Sequence, residues 1–139
     1  MFDENLIAKK YLNPNEYLKS FKNDFLRAKP FSSIVIKDFF QENFLSNVLG
    51  EFPDLEKVEA SQKYKNQNEF KFADNDYDNF SNSIKKLIDF LNSKTFLFFL
   101  QNLSSIEQKL LSDPELNGGG LHEIKQGGVL KIHTDFNKH

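Results

Sequence analysis

Cysteine and tryptophan are absent from this 139-residue chain, methionine occurs once, and glycine and proline are sparse at 6 and 4 residues. Without cysteine there is no disulfide framework, no thiol nucleophile and no thiolate ligand, so any metal must be held by imidazole and oxygen. An excess of either charge is missing too. The 18 Lys+Arg against 20 Asp+Glu leave a formal charge of −2, which gives no basic footprint for nucleic acid. The longest apolar run, Phe96 to Leu100, is far short of the roughly 18 residues that a membrane span requires. The start, Met1-Phe2-Asp3-Glu4, is acidic where a secretory signal would be basic. The expectation is a cytoplasmic protein with no nucleic-acid or membrane partner. What the chain does have is phenylalanine, 16 residues within a 39% hydrophobic share. Lys and Asn are also abundant, so A/T-rich codon usage accounts for the bias, and the Phe side chains are assigned mainly to packing.

The apolar spacing predicts a helical lead-in. Asn13-Pro14-Asn15-Glu16 has the cap, the first-turn proline and the glutamate three residues on that open a helix. Leu18, Phe21, Phe25 and Ala28 continue it to the stop at Pro30. The β-branched run Ile34-Val35-Ile36 predicts a strand. A second helix is expected from Gln41 to Glu51, ended by Pro53. The polar stretch 56–79 reads as a long excursion with at most one short strand. Two further helices follow, on Ile84, Leu87, Ile88 and Leu91 and then on Phe96, Phe99, Leu100 and Leu103, divided near Asn92 with Ser93 as the cap of the second. Beyond the glycine cluster 118–120 the character changes to strand, in two pieces flanking a turn or bulge at Gly127-Gly128.

The chemistry-bearing residues lie at the end of that segment. In extended backbone, side chains two apart share a side, so His133 and Asp135 can close on one ion while Thr134 faces away. An imidazole and a carboxylate are two of the three ligands of the 2-His-1-carboxylate triad of non-haem Fe(II) oxygenases. Spacing alone leaves a solvated strand end without metal as the alternative. His139 could close a three-ligand loop only without supporting hydrogen bonds, and His122 is assigned a structural hydrogen-bonding role. No Gly-x-Gly-x-x-Gly, Walker-type loop or Gly-x-Ser-x-Gly elbow occurs, and the acidic residues are scattered rather than paired.

The stretches 118–124 and Gly127-Gly128-Val129-Leu130-Lys131-Ile132-His133-Thr134-Asp135-Phe136-Asn137 resemble the first half of the double-stranded β-helix of prolyl 4-hydroxylase-like, 2-oxoglutarate- and Fe(II)-dependent oxygenases. Ala28-Lys29-Pro30-Phe31 through Phe40, followed by a helix and Glu51-Phe52-Pro53, is similar to the opening segment of bacterial members, and the two blocks stand in family order. The resemblance implies an α+β fold: N-terminal helices packed on the first strands of a jelly roll, truncated before the fold is complete. Residues 1–139 form a single domain on this reading, with 1–117 a mainly helical lead-in carrying one opening strand and 118–139 the first core strands. It implies Fe(II) held by His133 and Asp135, 2-oxoglutarate as cosubstrate with L-ascorbate as an optional accessory, and hydroxylation of a small molecule or a peptidyl proline. The second histidine and the basic residue for 2-oxoglutarate belong several tens of residues past Asp135, so the resemblance predicts a fragment that is inactive by itself. Leu130 stands where many members have a tyrosine that reaches the cosubstrate. Two other readings compete: a non-catalytic jelly-roll-like binding module, and a helical partner-binding protein using the Phe-rich faces of 80–103.

Overall fold

The described residues of the computed structural model, 1–67, 69–117 and 119–132, fall into two units. One comprises Met1–Phe52 with Phe80–Pro114, and the other Pro53–Asn79 with the chain from Glu115 onward. The first unit is helical. Its opening signal makes a 3-10 turn at Pro14–Glu16, where the Asn13 side chain accepts from Asn15 N–H and donates to Glu16. The α-helix proper, α1, is Leu18–Arg27. The other helices are α2 (Glu42–Gly50), α3 (Asn82–Leu91) and α4 (Lys94–Ser104), with α1 against α4 and α2 against α3. The division of α3 from α4 falls where the sequence places it, and Ser93 Oγ accepts from Phe96 N–H at 3.2 Å.

Phe2, Leu6, Ile7, Phe39, Phe44, Phe90, Phe99 and Leu103 form the core of this unit. Phe2 is its hub, with near-perpendicular ring contacts to Phe39, Phe90 and Phe99 at centroid distances of 5.8, 5.5 and 5.5 Å. Edge-to-face packing is the arrangement that ring quadrupoles favour.

The strand expected at Ile34-Val35-Ile36 does not form. These residues have no ladder partner among the described residues; Ile34 and Ile36 pack against the helical core while Val35 is 84% exposed. β-branching favours an extended backbone, but a strand also needs a neighbour for its N–H and C=O groups. The neighbour available here pairs later, in a single antiparallel bridge between Ile7 and Phe40.

The second unit carries a three-stranded antiparallel sheet in the order β1-β2-β3: Gln62–Lys65, Phe70–Asp74 and Leu121–Glu123. The fold class is therefore α+β, with an open sheet among the described residues. Two strands occupy the stretch read as a polar excursion, a correction with a physical cause. Lys63 faces Phe72 and Lys65 faces Phe70 across β1 and β2, and Lys63 Nζ sits 5.4 Å from the Phe72 ring. Lysine stems thus cover the aromatic rows and protect an edge strand from further pairing. The period-2 alternation of Phe70-Lys71-Phe72 was hidden by the charged composition around it. No helix among the described residues is long and apolar enough to cross a membrane.

Candidate metal centre

The limb that leads to His133 begins at β3, which pairs with β2 through Asp74↔Leu121, Ala73↔His122 and Phe72↔Glu123. The chain then leaves the ladder and returns to it. Gly128 N–H closes a turn on Lys125 O at 2.8 Å, Phe70 N–H donates to Val129 O at 2.7 Å, and Leu130 bridges Glu69. Six residues, Ile124 to Val129, thus face two, Phe70 and Lys71, which is the bulge that Gly127-Gly128 foretells. Gly127 has φ +82°, a region that favours glycine. A Cβ on Gly128 would lie 2.9 Å from the carbonyl oxygens of both Phe70 and Lys125, so the tight return requires its absence.

Charged side chains fasten this excursion. Lys125 Nζ lies 2.6 Å from Asp54 Oδ1 and 2.8 Å from Glu123 Oε1, and Lys57 Nζ lies 2.9 Å from Asp54 Oδ2. The other Glu123 oxygen accepts from Leu55 N–H at 2.8 Å, and Leu55 is fully buried. Hydrogen bonds from Lys125, and then from Lys57, hold the Asp54 carboxyl down at about 2. Asp54, and then Glu123, raise Lys125 above the ordinary lysine range by the same contacts.

A comparison with models of known protein families finds no match, and a comparison with curated proteins finds none either.

His133 and Asp135, the expected metal ligands, lie outside the described residues, as does His139. Among the described residues no three His, Asp or Glu side chains come together in a way that could hold a metal. His122 is exposed on β3 opposite Ala73, and its side chain has no hydrogen-bond partner among the described residues, contrary to the structural role expected of it. Leu130 is a pairing residue of the returning limb. The sequence reading missed Asp54, Glu123 and Lys125. Only the Glu123-x-Lys125 spacing hinted at them, because their partner Asp54 is about seventy positions away.

Elsewhere, in the helical unit, a cleft of about 880 Å³ has Phe2, Leu6, Phe44 and Phe90 among its lining, with Lys86 and Asp89 as its charged side chains on α3. These apolar residues are those of the core, and the charged lining is mixed in sign, Asp3 and Asp89 against Lys86.

Proposed function

We propose that this chain carries iron ligands of a 2-oxoglutarate- and Fe(II)-dependent oxygenase of the prolyl 4-hydroxylase-like kind, with His133 and Asp135 as two of them. The observation that carries the reading is the antiparallel return of Val129 and Leu130 to β2. It supports the reading because the two-residue spacing of imidazole and carboxylate is a clamp only when the chain arrives as sheet backbone. The donor set also fits: one imidazole and one carboxylate, with no thiolate in the chain, match the nitrogen and oxygen ligation of non-haem iron.

The jelly-roll identity of the sheet belongs to this proposal, as does a cytoplasmic setting. So does a substrate that is a peptidyl proline or a small molecule with an aliphatic C–H to hydroxylate. Bound iron with 2-oxoglutarate supplies dioxygen-dependent hydroxylation, with release of succinate and carbon dioxide. The chain's own residues would hold the ion, His133 through an imidazole nitrogen and Asp135 through carboxylate oxygen.

Titration of the full chain with Mn(II), followed by the EPR signal of the free ion, tests this. Two protein ligands give weak binding that 2-oxoglutarate strengthens, and His133→Ala or Asp135→Ala weakens it by about tenfold or more. Binding indifferent to both substitutions would overturn the assignment.

A further inference from the structure

Among the described residues β1 is the outer strand of its sheet, and the alternation of bonded and non-bonded pairs in an antiparallel ladder decides which of its backbone groups are left over. Asn66 N–H donates to Glu69 O at 2.9 Å, while Phe70 N–H turns away from β1 to Val129 O. Lys65↔Phe70 is therefore a non-bonded pair, Tyr64↔Lys71 a bonded one and Lys63↔Phe72 again non-bonded. The N–H and C=O groups of Lys63 and Lys65 point outward, where no described strand meets them.

The side chains of the same two residues set the chemistry of that edge. Both are exposed, and they share a face with Phe70 and Phe72. Lys63 Nζ lies 5.7 Å from the Phe70 ring and 5.4 Å from that of Phe72, and Lys65 Nζ lies 5.7 Å from Phe70. Neither ammonium has a carboxylate partner among the described residues. The acids on that face are engaged elsewhere: Glu123 with Lys125 and the Leu55 N–H, and Asp74 with the Asp76 N–H and the Asn79 amide. Glu69 lies on the opposite face, 3.3 Å from Lys71. A second copy of this edge, paired about Tyr64, sets Lys63 directly against Lys65, and like charges so placed are destabilising. The lysines that guard the edge against its own kind attract a strand of the opposite charge.

We propose that the outer edge of β1 takes an extended acidic segment of a partner protein as an added strand: the backbone groups of Lys63 and Lys65 bond its main chain, and their ammonium groups meet carboxylates at alternate positions along it. No residue of this edge belongs to the metal site proposed above, so the two stand or fall separately.

The test uses the full chain and a fluorescein-labelled peptide of alternating Glu and Thr, with binding read by anisotropy and by hydrogen exchange at individual amides. The peptide is expected to bind and to protect the Lys63 and Lys65 amides, leaving that of Tyr64, already bonded within the ladder, unchanged. An alternating Lys-Thr peptide is expected not to bind. Lys63→Gln combined with Lys65→Gln is expected to weaken binding about fivefold, the scale of two exposed cross-strand ion pairs, and Lys63→Arg combined with Lys65→Arg to retain it. Should the glutamine variant not fold, with circular dichroism as the check, the parent chain still decides: a Glu-Thr peptide N-methylated at every amide keeps its charges, lacks the donors for the edge, and is expected to lose binding. Absence of binding by the unmodified peptide, equal binding by the methylated one, protection that misses Lys63 and Lys65, or a folded glutamine variant that binds as the parent does overturns the proposal. So does self-association that protects those two amides, because a second copy is then the occupant.

Discussion

Phe2 shows how much one side chain near the start of the chain can carry. Its ring meets four other phenylalanines, and only 6% of its surface remains exposed. Truncation leaves a cavity that rigid neighbouring rings cannot fill, so Phe2→Ala is expected to cost about 3–5 kcal/mol, read as a lowered urea midpoint with an unchanged slope. In the sequence Phe2 sits among Met1, Asp3 and Glu4, a setting without periodicity, and nothing local marks it as core. Gly128 is the opposite case. Its place in a Gly-Gly pair announces a turn, yet the reason for glycine is a distant carbonyl, that of Phe70. Gly128→Ala is expected to destabilise the sheet unit by about 1–3 kcal/mol, with the Phe70 amide losing exchange protection first.

At the scale of elements, agreement was best where the determinants are local. Helix α4 begins at Ser93 because its hydroxyl satisfies an otherwise unpaired N–H. Ser93→Ala is expected to cost about 1 kcal/mol, measurable by thermal melting. Helix α3 is secured from further away: Glu51, just past the end of α2, accepts from both the N–H and the hydroxyl of Ser83. Its carboxyl is held below the usual range by the Ser81 hydroxyl, whose geometry falls short of a full hydrogen bond, and then by those two Ser83 groups. Strands were legible only in part. Ile34-Val35-Ile36 has the composition of a strand and lacks a partner, whereas Gln62–Lys65 looks soluble and pairs along its length. Composition reports what a residue tolerates; pairing depends on what lies beside it.

For the molecule as a whole, the ion network and the Glu51 contact imply lability in acid. Each carboxylate has a folded pKa below its ordinary value, 3.8 for Asp54 and 4.5 for Glu51. The stability it adds is present above that ordinary value and is lost as pH falls through the folded one. The melting temperature is therefore expected to fall between pH 4.5 and about 2, and Asp54→Asn to remove part of that dependence. Lys125 acts in the opposite sense, contributing below 10.5 and losing its effect only as pH rises through its elevated folded pKa. Because Asp54 and Lys125 are 36% and 32% exposed, added salt is expected to flatten the acid limb by screening.

The sequence by itself determined the helices, the cap at Ser93 and the Gly127-Gly128 turn. Each of these is a relation between residues a few positions apart, and short-range sterics and hydrogen bonding suffice to specify it. Tertiary structure alone decided that Phe2 is a hub, that 62–74 is a hairpin, and that Asp54 holds the turn before His133. Those depend on contacts across tens of residues, which form only after the entropy of closing the intervening chain has been overcome by packing on both sides.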